Sequence, residues 1–110
     1  MENEVREVVM SAEALLSLED VFVYGIETFS YASASVFIDE LNSHIQELSQ
    51  TYLQHPECRY LVTKSRKYRN IRHGSYLVIY KVTPTRIEVL NIIHSSRSIA
   101  KIKSVRKIKM

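Results

Sequence analysis

The sequence has no tryptophan, one cysteine, two glycines and two prolines in 110 residues. Positive charge is nearly missing from its first half, where residues 1–55 hold one basic side chain, Arg6, against ten acidic ones. Each shortage excludes something. A lone Cys58 cannot form an intramolecular disulfide, and no Cys/His cluster has zinc-ligand spacing. Scarce Gly and Pro exclude a loop-rich chain and point to long elements with short connections. No apolar run approaches the ~20 residues of a membrane span, and no basic-then-apolar leader opens the chain. Repeats and low-complexity segments are absent as well. The expectation is a cytoplasmic protein with one domain over residues 1–110, without cofactor or metal.

What is present is charge of the other sign, arriving late. Residues 56–110 carry fourteen Lys/Arg against Glu57 and Glu88, so the net +3 conceals an acidic half and a strongly basic half. A basic surface of this kind attracts nucleic acid or an acidic protein. Hydrophobic content of 45% is that of a globular domain.

Residues Val5–Met10 are rich in β-branched side chains and predict a first strand. Ser11 is a helix cap, after which Leu15, Leu18, Phe22, Ile26 and Phe29 recur at helical spacing. Gly25 weakens that helix without ending it. Ser30 offers a second cap, followed by Ala34, Phe37, Leu41, Ile45, Leu48 and Tyr52 on one face. With almost nothing between them, the two helices fold back as an antiparallel hairpin. The acids Glu19, Asp20, Glu27, Asp39, Glu40 and Glu47 lie off both stripes, on a solvated face.

Pro56 stops the second helix, and the period then changes. Tyr60–Thr63, Tyr68–Arg72, Tyr76–Val82 and Arg86–Ile93 read as strands, with turns at His73-Gly74 and Thr83-Pro84-Thr85. The predicted fold is α+β: an N-terminal strand, a two-helix hairpin, then a curved three- to four-stranded antiparallel sheet. Ile99, Ile102, Val105 and Ile108 recur every third residue among five cations, so residues 98–110 form a basic tail or an element covering a sheet edge. Cys58 has no activating partner in sequence and reads as a packing residue.

This order of elements, with Ser11-Ala12-Glu13-Ala14, the Ala34 to Leu48 face, Pro56-Glu57-Cys58-Arg59, Tyr76–Val82 and Ile87–His94 running on to Arg97, resembles the RelE/ParE superfamily of bacterial toxin–antitoxin toxins. Cys58 stands where the superfamily usually has Gly, and the stretch from Leu48 to Pro56 is longer than usual. The resemblance implies a toxin of a type II toxin–antitoxin (plasmid stabilisation) module, neutralised by an acidic antitoxin. The antitoxin's own domain binds DNA, so DNA would be met only indirectly.

Two mechanisms share this fold. RelE-like members are ribosome-dependent mRNA interferases, which need an acid, a base and cations around the scissile phosphate. His94, Arg97 and Arg69 would be the catalytic residues. Leu77, however, occupies the position of a central-strand cation, and no Tyr or Trp follows Tyr80. ParE-like members inhibit DNA gyrase by binding, and the end His94-Ser95-Ser96-Arg97 is similar to theirs. The sequence therefore favours a gyrase inhibitor, with Arg69, Arg72, Tyr76, His94 and Arg97 as target- or nucleic-acid-binding residues. The mRNA interferase is the alternative, and a non-toxic protein-binding homologue the second alternative. Strand alternation places Arg69 with Ile71 on one face and Asn70 with Arg72 on the other.

Overall fold

The computed structural model describes residues 4–110. Strand β1 (Glu7–Met10) leads into helix α1 (Ala12–Thr28), α2 (Tyr31–Gln46) and the single turn α3 (Leu48–Thr51). Strands β2 (Tyr68–His73), β3 (Tyr76–Val82) and β4 (Arg86–His94) follow. A short α4 (Ile99–Lys103) and a 3₁₀ turn (Ser104–Lys107) close the chain. The fold is α+β, as the sequence predicts. The four strands lie in the order β1-β4-β3-β2. Neighbours β2, β3 and β4 are antiparallel, but β1 pairs parallel with β4, which makes the sheet mixed. The helical hairpin and α3 carry the chain from β1 to β2 on the opposite edge of the sheet, and β2 and β3 complete the long connection that a parallel β1–β4 pair requires.

Both predicted caps form. Ser11 Oγ accepts from the Ala14 amide at 2.9 Å, and Ser30 Oγ from the Ser33 amide at 3.0 Å. Ser11 does more, because its hydroxyl also donates to Leu90 O at 2.5 Å. That bond ties the start of α1 to β4 and sets the helix phase, with a result that departs from the sequence reading. Ala14 and Val21 are the buried α1 residues, while Leu15 and Phe29 are 54% and 72% exposed. The predicted stripe is therefore displaced around the helix. Gly25 has a positive role in the hairpin: a Cβ there would meet Ala34 Cβ at 3.0 Å, so its absence lets α1 and α2 close on each other.

The second helical face is as expected, with Ala34, Leu41, Ile45, Leu48 and Tyr52 all buried. Pro56 is not its terminator: α2 ends at Gln46, and α3 ends at Thr51, five residues before the proline. The surplus length between Leu48 and Pro56 is taken up by this extra turn.

Tyr60–Thr63 is not a strand. Leu61 N–H bonds Cys58 O at 3.1 Å and Glu57 Oε2 accepts from the Thr63 amide at 3.0 Å, curling the segment into turns. Its apolar residues serve as a plug instead. Cys58 and Leu61 pack with Tyr68, Ile79, Leu90, Ile93, Ile102 and Val105 on the face of the sheet away from the hairpin. The basic tail thus lies over a face of the sheet, held by Ile102 and Val105, and not along an edge. Burial raises the Cys58 thiol pKa, in keeping with a packing role.

The hairpin side holds the other core, where Ala14, Leu41, Ile45, Leu48 and Tyr52 meet Ile71, Val78, Tyr80, Ile87, Val89 and Ile92. β3 is buried on both faces because consecutive Val78, Ile79 and Tyr80 feed alternate cores, as its continuous apolar run predicts. A bulge between Ile79 and Tyr80 pairs them with Asn91 and Val89, leaving Leu90 as the extra residue. Leu90 and Ile93 consequently share the second core although they are three apart. Buried Asn91 services the irregularity: its Oδ1 accepts from the Ile92 amide at 2.8 Å and from Ser17 Oγ at 2.5 Å.

Candidate functional site

The β2–β3 hairpin turns at Gly74, whose φ of +59° is the left-handed region that favours glycine. The turn brings the start of β3 beside the end of β4, with Tyr76 opposite His94 in register. Their rings meet edge to face at 5.4 Å, and Phe37 of α2 stands 6.0 Å from Tyr76. Ser95 N–H bonds Ser75 O at 2.7 Å, fastening the start of β3 to the end of β4.

Between this end of the sheet and the hairpin runs a groove of about 410 Å³, walled by Val21, Tyr24, Phe29 and Phe37 and closed by Tyr76 and His94. It continues into a wider groove of about 780 Å³ where Asp20, Arg97 and Lys101 join Tyr76 and His94. Apolar walls are thus rimmed by exposed charge. Burial, reinforced by Tyr24, raises the Tyr76 pKa, so its hydroxyl stays protonated.

His94 is held from one side. Its Nδ1 accepts from the Ser96 amide at 3.1 Å and lies 2.7 Å from Ser96 Oγ. With an amide donating to Nδ1, the neutral ring carries its proton on Nε2, an assignment inferred from that hydrogen bond. No carboxylate orients the ring: among the described residues the one salt bridge is Arg86–Glu88, at 2.8 Å.

The five predicted site residues do not all converge. Tyr76, His94 and Arg97 share a groove. Arg72 is nearby but exposed, its Nε donating to Gly74 O at 3.3 Å and an Nη reaching Ser95 Oγ at 3.5 Å. Arg69 sits at the other end of the sheet, opposite Tyr80, donating to His55 O at 2.8 Å and Leu53 O at 3.3 Å. It shares the face of Ile71, as alternation predicts, and is separated from His94 by most of the length of β3. Their partners on that strand, Tyr80 and Tyr76, are four residue steps apart, roughly 13 Å at ~3.3 Å per residue, with a strand spacing on either side to add. Arg69 therefore cannot act on the same small group as His94 and Arg97. Leu77 is partly buried against the second core, so no cation takes its place beneath the groove.

The α1 contribution is absent from the sequence reading. Leu16, Val23, Tyr24, Phe29, Tyr31 and Val36 are all more than 40% exposed, forming an apolar exterior on the hairpin. A signal existed in Leu15–Phe29, which is apolar on more than one side, as expected of a helix covered on more than one side. At the hairpin's far rim, His44 of α2 and His73 of β2 face each other with their Nδ1 atoms 3.0 Å apart. Among the described residues no group of three or more His, Cys, Asp or Glu is placed to hold a metal ion. Among the described residues no helix is long and apolar enough to cross a membrane.

A mixed sheet carrying a helical hairpin, with a groove at the hairpin's edge, is a small α+β architecture. The family model of the ParE toxin of the type II toxin–antitoxin system, parDE, matches residues 8–99. The chain belongs to this family. A similar solved structure is the chromosomal ParDE toxin–antitoxin system from P. aeruginosa, with a TM-score of 0.69 and 13% identity. The match covers 84% of this chain and 98% of that one. At such identity the likeness establishes the fold. No curated protein matches the chain.

Proposed function

We propose that this protein is the toxin of a type II pair that inhibits DNA gyrase by binding, and that an acidic antitoxin masks its hairpin groove. One observation carries the preference for binding over RNA cleavage. The groove joins apolar walls to the cations Arg97 and Lys101, while His94 bonds Ser96 and has no acid to orient it. General acid–base cleavage needs paired groups at hydrogen-bonding distance from the reacting atoms; adhesion needs complementary charge and apolar area, and both are here. The exposed apolar residues of α1 supply that area for the antitoxin. The cytoplasm is the compartment in which such a target and antitoxin are met.

The test is a gyrase supercoiling assay with purified protein, paired with a translation extract scored for cleaved mRNA. Inhibited supercoiling with intact transcripts is expected, and Arg97→Glu should weaken inhibition about tenfold, the ~1.4 kcal/mol of one lost charged contact. Cleaved transcripts would replace this reading with an mRNA interferase using His94 and Arg97. Inactivity in both assays would leave a non-toxic partner-binding homologue.

A further inference from the structure

The sheet end opposite His94 carries a second groove with different chemistry. It measures about 640 Å³, and five of its wall residues are cations: Arg6, Arg66, Lys67, Arg69 and Lys81. Among the described residues no carboxylate lines it. Glu88, opposite Lys81 in the strand register, is engaged by Arg86 at 2.8 Å.

These cations are fixed without being neutralised. Arg6 Nη1 donates to Thr83 O at 2.7 Å, and Arg69 donates to His55 O at 2.8 Å and through Nε to Arg66 O at 3.2 Å. A carbonyl aims a guanidinium but leaves its charge uncancelled, so its other N–H groups keep their appetite for an anion. Arg6 also stacks 4.8 Å over the Tyr52 ring, and its buried Nε has no hydrogen-bond partner. Arg66 is held at φ +54°, a conformation costing a non-glycine residue about 1–2 kcal/mol. Folding thus assembles five like charges in one concavity, and among the described residues no carboxylate forms a salt bridge with any of them.

We propose that this groove binds the phosphate backbone of a nucleic acid. Charge complementarity admits an acidic peptide as a rival occupant, and the edge of β2 decides against it. An extended peptide would seek backbone hydrogen bonds on that open edge. Residues 56–58 already occupy it: Cys58 N–H bonds Tyr68 O at 2.8 Å, Asn70 N–H bonds Pro56 O at 3.2 Å, and the Glu57 backbone pairs antiparallel with that of Arg69. What the groove still offers is charge, which suits a phosphate chain. Tyr52 and Tyr80 nearby are buried, so they give bases no stacking platform, and binding is indifferent to sequence. The inference goes beyond gyrase inhibition and replaces the expectation that the toxin meets DNA only through its antitoxin.

Fluorescence anisotropy of the full chain with a labelled mixed-sequence DNA duplex, over a salt series, tests it. Each phosphate neutralised contributes about −0.9 to the slope of log K against log salt, so four contacts predict a slope of roughly −3.6. Arg66→Glu with Lys67→Glu should lower affinity at least tenfold and flatten the slope by about 2. Arg66→Gln with Lys67→Gln should move both in the same direction by less. Lys107→Glu with Lys109→Glu makes the same charge change on the exposed tail and should alter affinity less than threefold.

The proposal is overturned if the duplex does not bind, if the tail pair loses as much as the groove pair, or if a poly-glutamate peptide binds more tightly than the duplex. Binding to gyrase without DNA should be unchanged in the groove variants. Loss of gyrase binding by Arg97→Glu alone, or of duplex binding by the groove pair alone, separates the fate of the two readings.

Discussion

The two faces of the sheet are covered by unlike means. On one, α2 delivers Leu41 and Ile45, and the following turn α3 delivers Leu48, to a core that includes Val78, Tyr80 and Val89. On the other, Ile79, Leu90 and Ile93 are covered by Cys58 and Leu61 from a turn-rich loop and by Ile102 and Val105 from two short helical turns. Helices this brief are unstable alone, so the second layer exists because the sheet supplies an apolar template. The hairpin layer brings some helical stability of its own. The second layer should accordingly be the first to open in hydrogen exchange.

The largest test of this contrast is deletion of residues 99–110. Losing buried Ile102 and Val105 removes roughly 3–6 kcal/mol, at ~1.5–3 per fully buried side chain. Denaturant unfolding should show the loss together with new dye-binding surface. Unchanged stability would mean that the second core does not need its cover. Leu41→Ala, fully buried in the hairpin core, should cost about 2–5 kcal/mol. Faster hydrogen exchange in α1 and α2, with the tail unaffected, would separate the layers; uniform loss of protection would join them.

Ser11→Ala should cost about 1–2 kcal/mol, because it removes the α1 cap and the donor to buried Leu90 O together. A cost of only a few tenths would show that α1 keeps its phase without this anchor.

The smallest effect is a pH dependence at the hairpin's rim. Burial first, then the neighbouring His44, lowers the His73 pKa against a weaker opposing pull from Glu40. Burial, His44 and Arg69 lower that of His55, opposed by Glu47. A base whose folded pKa is depressed gives full stability above its unfolded value of ~6.5. Stability then falls as the pH drops below 6.5, since the unfolded chain takes the proton first, and levels off beneath the folded pKa. Two protonated rings would also set N–H against N–H across the 3.0 Å His44–His73 contact. His73→Gln should flatten this slope while leaving the His55 share. A slope unaltered by that substitution would remove the histidine pair from the account.

Local patterns were legible and relative placement was not. Ser11 and Ser30 could be recognised as caps because capping is a contact between near neighbours in sequence. The α2 face could be read because Ala34, Leu41, Ile45 and Leu48 obey one period. The phase of α1 could not, since Leu15–Phe29 is apolar on several sides and a hydrogen bond to Leu90, 79 residues away, chooses among them. Tyr60–Thr63 has strand composition but is bent by Glu57, six residues from the Thr63 amide it binds. For the candidate site, Tyr76, His94 and Arg97 could be drawn from the ends of two predicted strands, whereas Tyr24 and Phe29 could not.

The charge asymmetry shows the same division. The order of residues alone determined an acidic hairpin, a basic second half and an α+β chain, because local charge and periodicity are sums over neighbours. It also determined that Arg69 and Arg72 lie on opposite faces, which alternation requires. Tertiary structure alone decided that the basic residues form separate groups, Arg97 and Lys101 beside His94 and the five-cation groove beyond Val82. Strand order and register set those distances, and they depend on pairings between residues far apart in the chain.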